Sequence, residues 1–141
     1  MTASNFRLLL DTHVWLRYGN SSSPFRRAAI DAIDEGLESG AVYVSVISIW
    51  EIALLVRQNK LALHVSVERW VDDALAVSGL QLLPLSPQIA IESVDLPEPM
   101  HKDPADRILV ASARVERLTL VTADKAVLKF AKTTGLAHMR A

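Results

Sequence analysis

Apolar residues along this chain fall into short packets of alternating period. "FRLLL" (6–10) is an apolar run that stops abruptly at Asp11, with a helix predicted to follow through Arg17. "AVYVSV" (41–46) is β-branched and apolar, the pattern of a buried strand. "LQLLPLS" (80–86) is a third strand candidate, kept short or at an edge by Pro84. "TLVTAD" (119–124) reads as a further strand, and "LAHMRA" (136–141) as a small edge strand.

Helical patterns fill the intervals. "NSSSPFRRAAIDAIDEGLESG" (20–40) predicts a loop, then a helix with Ser23 as N-cap and Pro24 at its first position. Asp31, Asp34, Glu35 and Glu38 give that helix a solvated face. "SIWEIALLVRQNKL" (48–61) is a second helix, and "HVSVERWVDDALAVSG" (64–79) a third, with Ser66 as N-cap and Gly79 as its stop. "PQIAIESVDL" (87–96) is a short helix and "PEPMHK" (97–102) a loop. "DPADRILVASARVERL" (103–118) and "KAVLKFAKTTG" (125–135) complete the set, the last closed by Gly135.

Strands alternating with helices from end to end predict an α/β fold, a mostly parallel sheet of four to five strands covered by helices on both faces. No linker, low-complexity segment or internal repeat divides the 141 residues, so residues 1–141 are expected to form a single domain with a substantial core. Half the residues are apolar and the net charge is −1, which argues against disorder and against a generally basic coat. The absence of cysteine excludes disulfides, thiol catalysis and cysteine-bound zinc, and fits a cytoplasmic location. The N-terminus does not read as a signal peptide, and no apolar stretch reaches the ~18 residues of a membrane helix.

Charge is unevenly spread. Residues 1–101 carry 7 basic and 12 acidic side chains, net −5, whereas residues 102–141 carry 8 basic and 4 acidic, net +4. A basic C-terminal face of this kind suits either solvated helices or the phosphates of a polyanion.

Parallel sheets build sites where strands turn into helices, at their carboxyl ends. Asp11 directly follows the first strand, and Asp124 ends the last strong one. Glu51 and Asp106 are each expected in a helix's first turn, and the four acids are predicted to share one edge of the sheet. Each has a structural alternative. "SIWE" (48–51) matches a capping box with Ser48 as N-cap, and "DPAD" (103–106) places Asp103 as N-cap, Pro104 first and Asp106 third. Asp11 and Asp124 fit Asx turns or N-caps equally well. Together, however, four carboxylates on one edge repel unless a cation neutralises them, and an all-oxygen donor set suits Mg²⁺ or Mn²⁺. Such ions activate water and neutralise charge in phosphoryl chemistry. No GxxxxGK[ST] cradle points to nucleoside triphosphates, and Thr12-His13 after Asp11 does not fit an aspartyl-phosphate phosphatase.

"LLLDTHVWL" (8–16), "VSVISIWEIALLVRQNKL" (44–61), "HKDPADRILVASA" (101–113) and "LTLVTADKAV" (118–127), in this order and spacing, resemble the PIN-domain family and, within it, its VapC-type ribonuclease toxins. The resemblance runs over essentially the whole chain. It implies a Mg²⁺- or Mn²⁺-dependent endoribonuclease acting on RNA, typically a homodimer, held inactive by a cognate antitoxin; the lack of a long apolar stretch adds the expectation of no membrane partner. It also implies a catalytic and metal-binding role for Asp11, Glu51, Asp106 and Asp124. For Asp103 the residues themselves leave two readings, a helix cap or an outer ligand through water. Thr12 matches a position that is often a small hydroxyl residue beside the first acid. Asp103 belongs to a subgroup signature, H-K/R-D-P-x-D-R, in which Ala105 stands where a bulky aromatic is usual.

Further residues are substrate candidates by position. Arg107 and Lys125 each adjoin a proposed ligand and, with Thr12, are candidates for contact with phosphate; Lys129 and Lys132 extend the strip along the last helix. His13 and His101 lie near the predicted site, where polar loop or capping roles compete with catalysis. Trp15, Trp50 and Trp70 are expected to pack in a core or interface rather than stack on bases. Two rival functions stand beside the nuclease: a non-catalytic binding module whose acids only cap helices, and a nuclease of DNA or structured nucleic acid on the same scaffold.

Overall fold

Leu8, Leu9 and Leu10 form β1, and all three are buried, because the strand lies in the middle of a sheet covered on both faces. In this computed structural model, which describes residues 6–18, 24–98 and 100–141, β2 (Val42–Ser45) pairs with one side of β1 and β4 (Thr119–Thr122) with the other. β3 (Leu80–Leu83) lies outside β2 and β5 (His138–Arg140) outside β4, giving a fully parallel order β3-β2-β1-β4-β5. Seven helices connect these strands among the described residues: α1 (Thr12–Tyr18), α2 (Arg27–Glu38), α3 (Val46–Arg57), α4 (Val67–Leu75), α5 (Pro87–Asp95), α6 (Pro104–Glu116) and α7 (Lys125–Thr134). None of them is long and apolar enough to cross a membrane.

The pleat of the strands divides the core in two. Leu9 and Leu120 point to one side, where Leu109, Val110, Val127 and Phe130 of α6 and α7 cover them. Leu8, Leu10, Val42, Val44 and Val121 point to the other, against Val14, Trp15, Ile33 and Ile52. Trp15 is buried and meets Trp70 edge to face, ring centroids 5.1 Å apart. Of the two settings expected for Trp50, core and interface, the core is excluded: it is 53% exposed on α3, because the apolar residues of that helix extend around more of its circumference than the sheet covers.

Three boundaries differ from those the sequence predicts. α2 begins at Arg27, after Pro24, because Phe25 packs against the core and turns the chain before the helix starts; Ser23 lies outside the described residues. α3 begins at Val46 rather than after Ser48. Its N-cap is the buried Ser45, whose Oγ accepts the Ile47 N–H at 3.0 Å. α4 ends at Leu75, four residues before Gly79.

Gly79 serves the turn into β3 instead. Its φ is +90°, and a Cβ there would stand 1.8 Å from the Leu37 carbonyl oxygen. Gly135 is also left-handed, φ +77°, but a Cβ there would meet nothing within 4 Å. Gly79→Ala is therefore expected to destabilise the fold by about 3 kcal/mol or more, left-handed strain adding to overpacking, against about 1–2 kcal/mol for Gly135→Ala. Urea denaturation of the two variants checks the order; equal losses would contradict it.

Candidate active site

The carboxyl end of β1 fixes Asp11. Its N–H donates to Val121 O at 3.0 Å, which carries the β1–β4 ladder one residue past the strand. Its side chain then starts α1: Oδ1 accepts the His13 N–H at 2.8 Å, the N-cap geometry anticipated for it. The carboxylate is only 6% exposed, and a buried charge needs partners. Oδ2 accepts the hydroxyl of the fully buried Thr122 at 2.5 Å, and Thr122 Oγ1 in turn accepts the Asp124 N–H at 3.0 Å. Thr122 thus links the acids at the ends of two adjacent strands. The pattern Thr-Ala-Asp at the end of "TLVTAD" was the signal for it.

Asp124 follows β4 and caps α7, its Oδ1 accepting the Val127 N–H at 3.0 Å. That leaves Oδ2 with no hydrogen bond among the described residues. Asp103 is the N-cap of α6, its Oδ1 accepting the Asp106 N–H at 3.1 Å behind Pro104. Ala105 is buried, and Asp106 projects from the same turn, half-buried. Glu51 lies one turn deeper in its helix than expected, at the sixth position of α3, because the helix starts at Val46.

Burial is the largest cause pushing the Asp106 carboxyl up to about 7, and the charges of Asp103, Asp124, Asp11 and Glu51 add to it in that order. Three acids far from it in sequence, Asp11, Glu51 and Asp124, are thus brought within electrostatic reach of Asp106 together with its neighbour Asp103. His101 meets this carboxylate from the preceding loop, Nε2 3.2 Å from Oδ2. Its Nδ1 accepts the Asp103 N–H at 3.3 Å, which leaves the ring proton on the Nε2 that faces Asp106.

Thr12 and Arg107 have structural partners. Thr12 is buried, and its hydroxyl donates to the buried Ser48 Oγ at 2.8 Å, tying α1 to the helix that carries Glu51. Ser48 has that role in place of the N-cap its sequence context suggested. The Arg107 guanidinium donates to Ser93 O, Val94 O, Met100 O and His101 O at 2.8–3.3 Å. It ties the end of α5 to the loop that holds His101, so its donors face main chain rather than solvent. Lys125 is exposed beside Asp124.

The donor set suits a hard divalent cation in chemistry and in charge: oxygen only, acidic, with one acid raised by burial and by the charges of its neighbours. Among the described residues no three of these side chains already stand in ligating positions. The fit therefore lies in charge and donor type, with side-chain rotation needed to close a coordination shell.

A fully parallel, two-faced α/β domain with carboxylates collected at the carboxyl edge of its central strands is the class of protein that these features define. A family model described as PIN domain matches residues 8–134. Ribonuclease VapC22 of Mycobacterium tuberculosis (strain ATCC 25618 / H37Rv) is 30% identical over 118 residues, covering 84% of this chain and 87% of that protein. The chain belongs to the PIN domain family. Its fold is similar to that of VapBC2 from Rickettsia felis bound to a DNA fragment from their promoter, with TM-score 0.68 and 17% identity over 94% of this chain and 97% of that one. DNA-bound VapBC from Salmonella typhimurium gives TM-score 0.64 at 18% identity, covering 96% of this chain and 98% of that one.

Burial of Asp106 among other acids has a thermodynamic consequence. The folded chain binds the Asp106 proton more tightly than the unfolded chain does, so this group makes folding less favourable as pH rises from 3.8 toward about 7. Asp106→Asn is expected to remove that slope and to raise the Tm above wild type at pH 8 in chelator. Thermal denaturation of both proteins from pH 4 to 8 reads the difference, and a difference independent of pH would refute it.

Proposed function

We propose that this chain is an endoribonuclease toxin that hydrolyses RNA phosphodiesters at the edge formed by Asp11, Glu51, Asp106 and Asp124. The observation that carries the reading is the convergence of these acids on Asp106, which leaves an excess of negative charge in a half-buried, all-oxygen setting. The 30% identity to a protein named as a ribonuclease supports the choice of RNA as substrate.

The four acids would hold Mg²⁺ or Mn²⁺, which when bound supplies an activated water and neutralises charge on the scissile phosphate. The chain's own groups prepare the edge for that task. Thr122 and the His13 N–H hold the Asp11 carboxylate in one orientation, one donor on each oxygen. Asp103 fixes the first turn of α6 from which Asp106 projects, and its role is that of the cap, with ligation through water secondary. His101 Nε2 holds one oxygen of Asp106, a carboxylate that would be among those to hold the cation. Asp124 engages α7 through one oxygen and offers the other.

The proposed partners are a cognate antitoxin and a second copy of the chain. VapBC pairs among proteins of similar fold support the first. Exposed apolar side chains, Trp50 on α3 with Ile91 and Val94 on α5, supply surface for protein contact.

Asp11→Asn and Glu51→Gln are each expected to lower Mg²⁺-dependent cleavage of single-stranded RNA by about 100-fold or more, with circular dichroism unchanged. Wild type is expected to gain Tm with Mg²⁺ or Mn²⁺, and Asp11→Asn to gain little. Undiminished cleavage by both variants would overturn the assignment, as would cleavage of DNA or duplexes in preference to single-stranded RNA. Absence of both cleavage and a metal-induced shift in wild type would favour a binding module.

A further inference from the structure

Lys125, Lys129 and Lys132 are spaced by four and three residues, so they share one face of α7, while Val127, Phe130 and Ala131 bury the other. All three lysines are exposed. Arg140 joins them from β5. Its strand partner in register is Thr122, the residue that donates to Asp11, so Arg140 stands at the same carboxyl edge as the acids. These four cations, with Leu128 and Thr133, line a shallow cavity of about 380 Å³ that contains no acidic residue.

The four side chains form no hydrogen bond or ion pair among the described residues. Elsewhere on the surface, Arg27, Arg69 and Arg114 are paired with Asp31, Asp73 and Glu92. An unneutralised basic strip in a chain of net charge −1 is a local concentration of charge, and it accounts for four of the eight cations in the +4 segment 102–141. The strip also has a direction. α7 starts at Asp124, and Lys125 to Lys132 climb away from it over about 10 Å of helix. A strand whose phosphates lie along these side chains is led across Asp124 to Asp11.

We propose that Lys125, Lys129, Lys132 and Arg140 form a phosphate track that binds the backbone of single-stranded RNA next to the cleavage edge, an extension that rests on the reading of that edge as a ribonuclease site. The contact is to phosphate and sugar, so it contributes affinity and register without base preference.

The test reads binding in EDTA, where metal-dependent cleavage is switched off. Anisotropy of a labelled single-stranded RNA of about 12 nucleotides is followed between 50 and 200 mM salt, conditions in which phosphate contacts dominate. The triple variant Lys129→Gln, Lys132→Gln, Arg140→Gln is expected to bind at least 10-fold more weakly than wild type. The slope of log K against log salt should fall in magnitude by about 2, near 0.7 for each cation removed. Arg26→Gln, Arg57→Gln and Lys60→Gln, which remove the same charge from exposed positions off the strip, should change affinity less than 2-fold. Lys129→Gln alone, expected to give part of the loss, serves if the triple variant folds poorly. Unchanged affinity and slope in the strip variants, or an equal loss in the off-strip variant, overturns the track. Failure of the ribonuclease reading shows separately, as Mg²⁺-dependent cleavage that survives Asp11→Asn.

Discussion

Everything at the carboxyl edge depends on holding one carboxylate in the interior. Asp11 stands at the end of the central strand with little access to water, a position that is unfavourable for a charge unless hydrogen bonds replace its hydration. Two donors do so, the His13 N–H from the helix it begins and the Thr122 hydroxyl from the adjacent strand. Because one of these donors is main chain and the other is fully buried, Asp11 cannot swing away. The same two bonds join β1, β4, α1 and, through the Asp124 N–H, the start of α7.

The other acids are positioned by the same economy of means. Asp103 and Asp124 each satisfy free N–H groups at a helix start, and in doing so they fix where the neighbouring carboxylates sit. Capping and cation binding are often alternatives for an acid; here capping falls to Asp103 and to one oxygen of Asp124, which leaves Asp106 and the second Asp124 oxygen without that role. The result is a surplus of negative charge at the edge, felt most strongly by Asp106 because it is partly buried among the others. On the outward side of α7, a compensating surplus of positive charge is left unpaired. An edge that repels phosphate without a cation thus adjoins a surface that attracts it.

Arg107 shows how local sequence can mislead. Adjacent to an acid in "DPADR", it has the position of a phosphate contact, yet its donors meet four carbonyls from α5 and the following loop. Those carbonyls lie 6 to 14 residues away, and no neighbour in sequence announces them. Ser48 is a second case. A serine three residues before a glutamate satisfies the capping-box pattern, but Ser45 satisfies the capping requirement too, and only the end of the β2 ladder decides between them. Glu51 still reaches the site, one turn further along the helix than its pattern suggested, because helical periodicity keeps the face and the Thr12–Ser48 bond holds α3 against α1.

The sequence by itself determined the alternation of buried strands and amphipathic helices, and hence a parallel sheet with its acids at one edge. Period, β-branching and capping residues are local properties, and topology carries strand ends to the same side. It likewise determined Asp103 as the cap of α6, since Asp-Pro at a helix start needs no partner beyond its own turn. Only the tertiary structure decided which acids repel one another, that Thr122 and His101 support them, that Trp50 is left outside the core, and that Arg140 of the last strand lines up with the lysines of α7. These are contacts between segments far apart in the chain, fixed by strand register and helix packing, which no local pattern encodes.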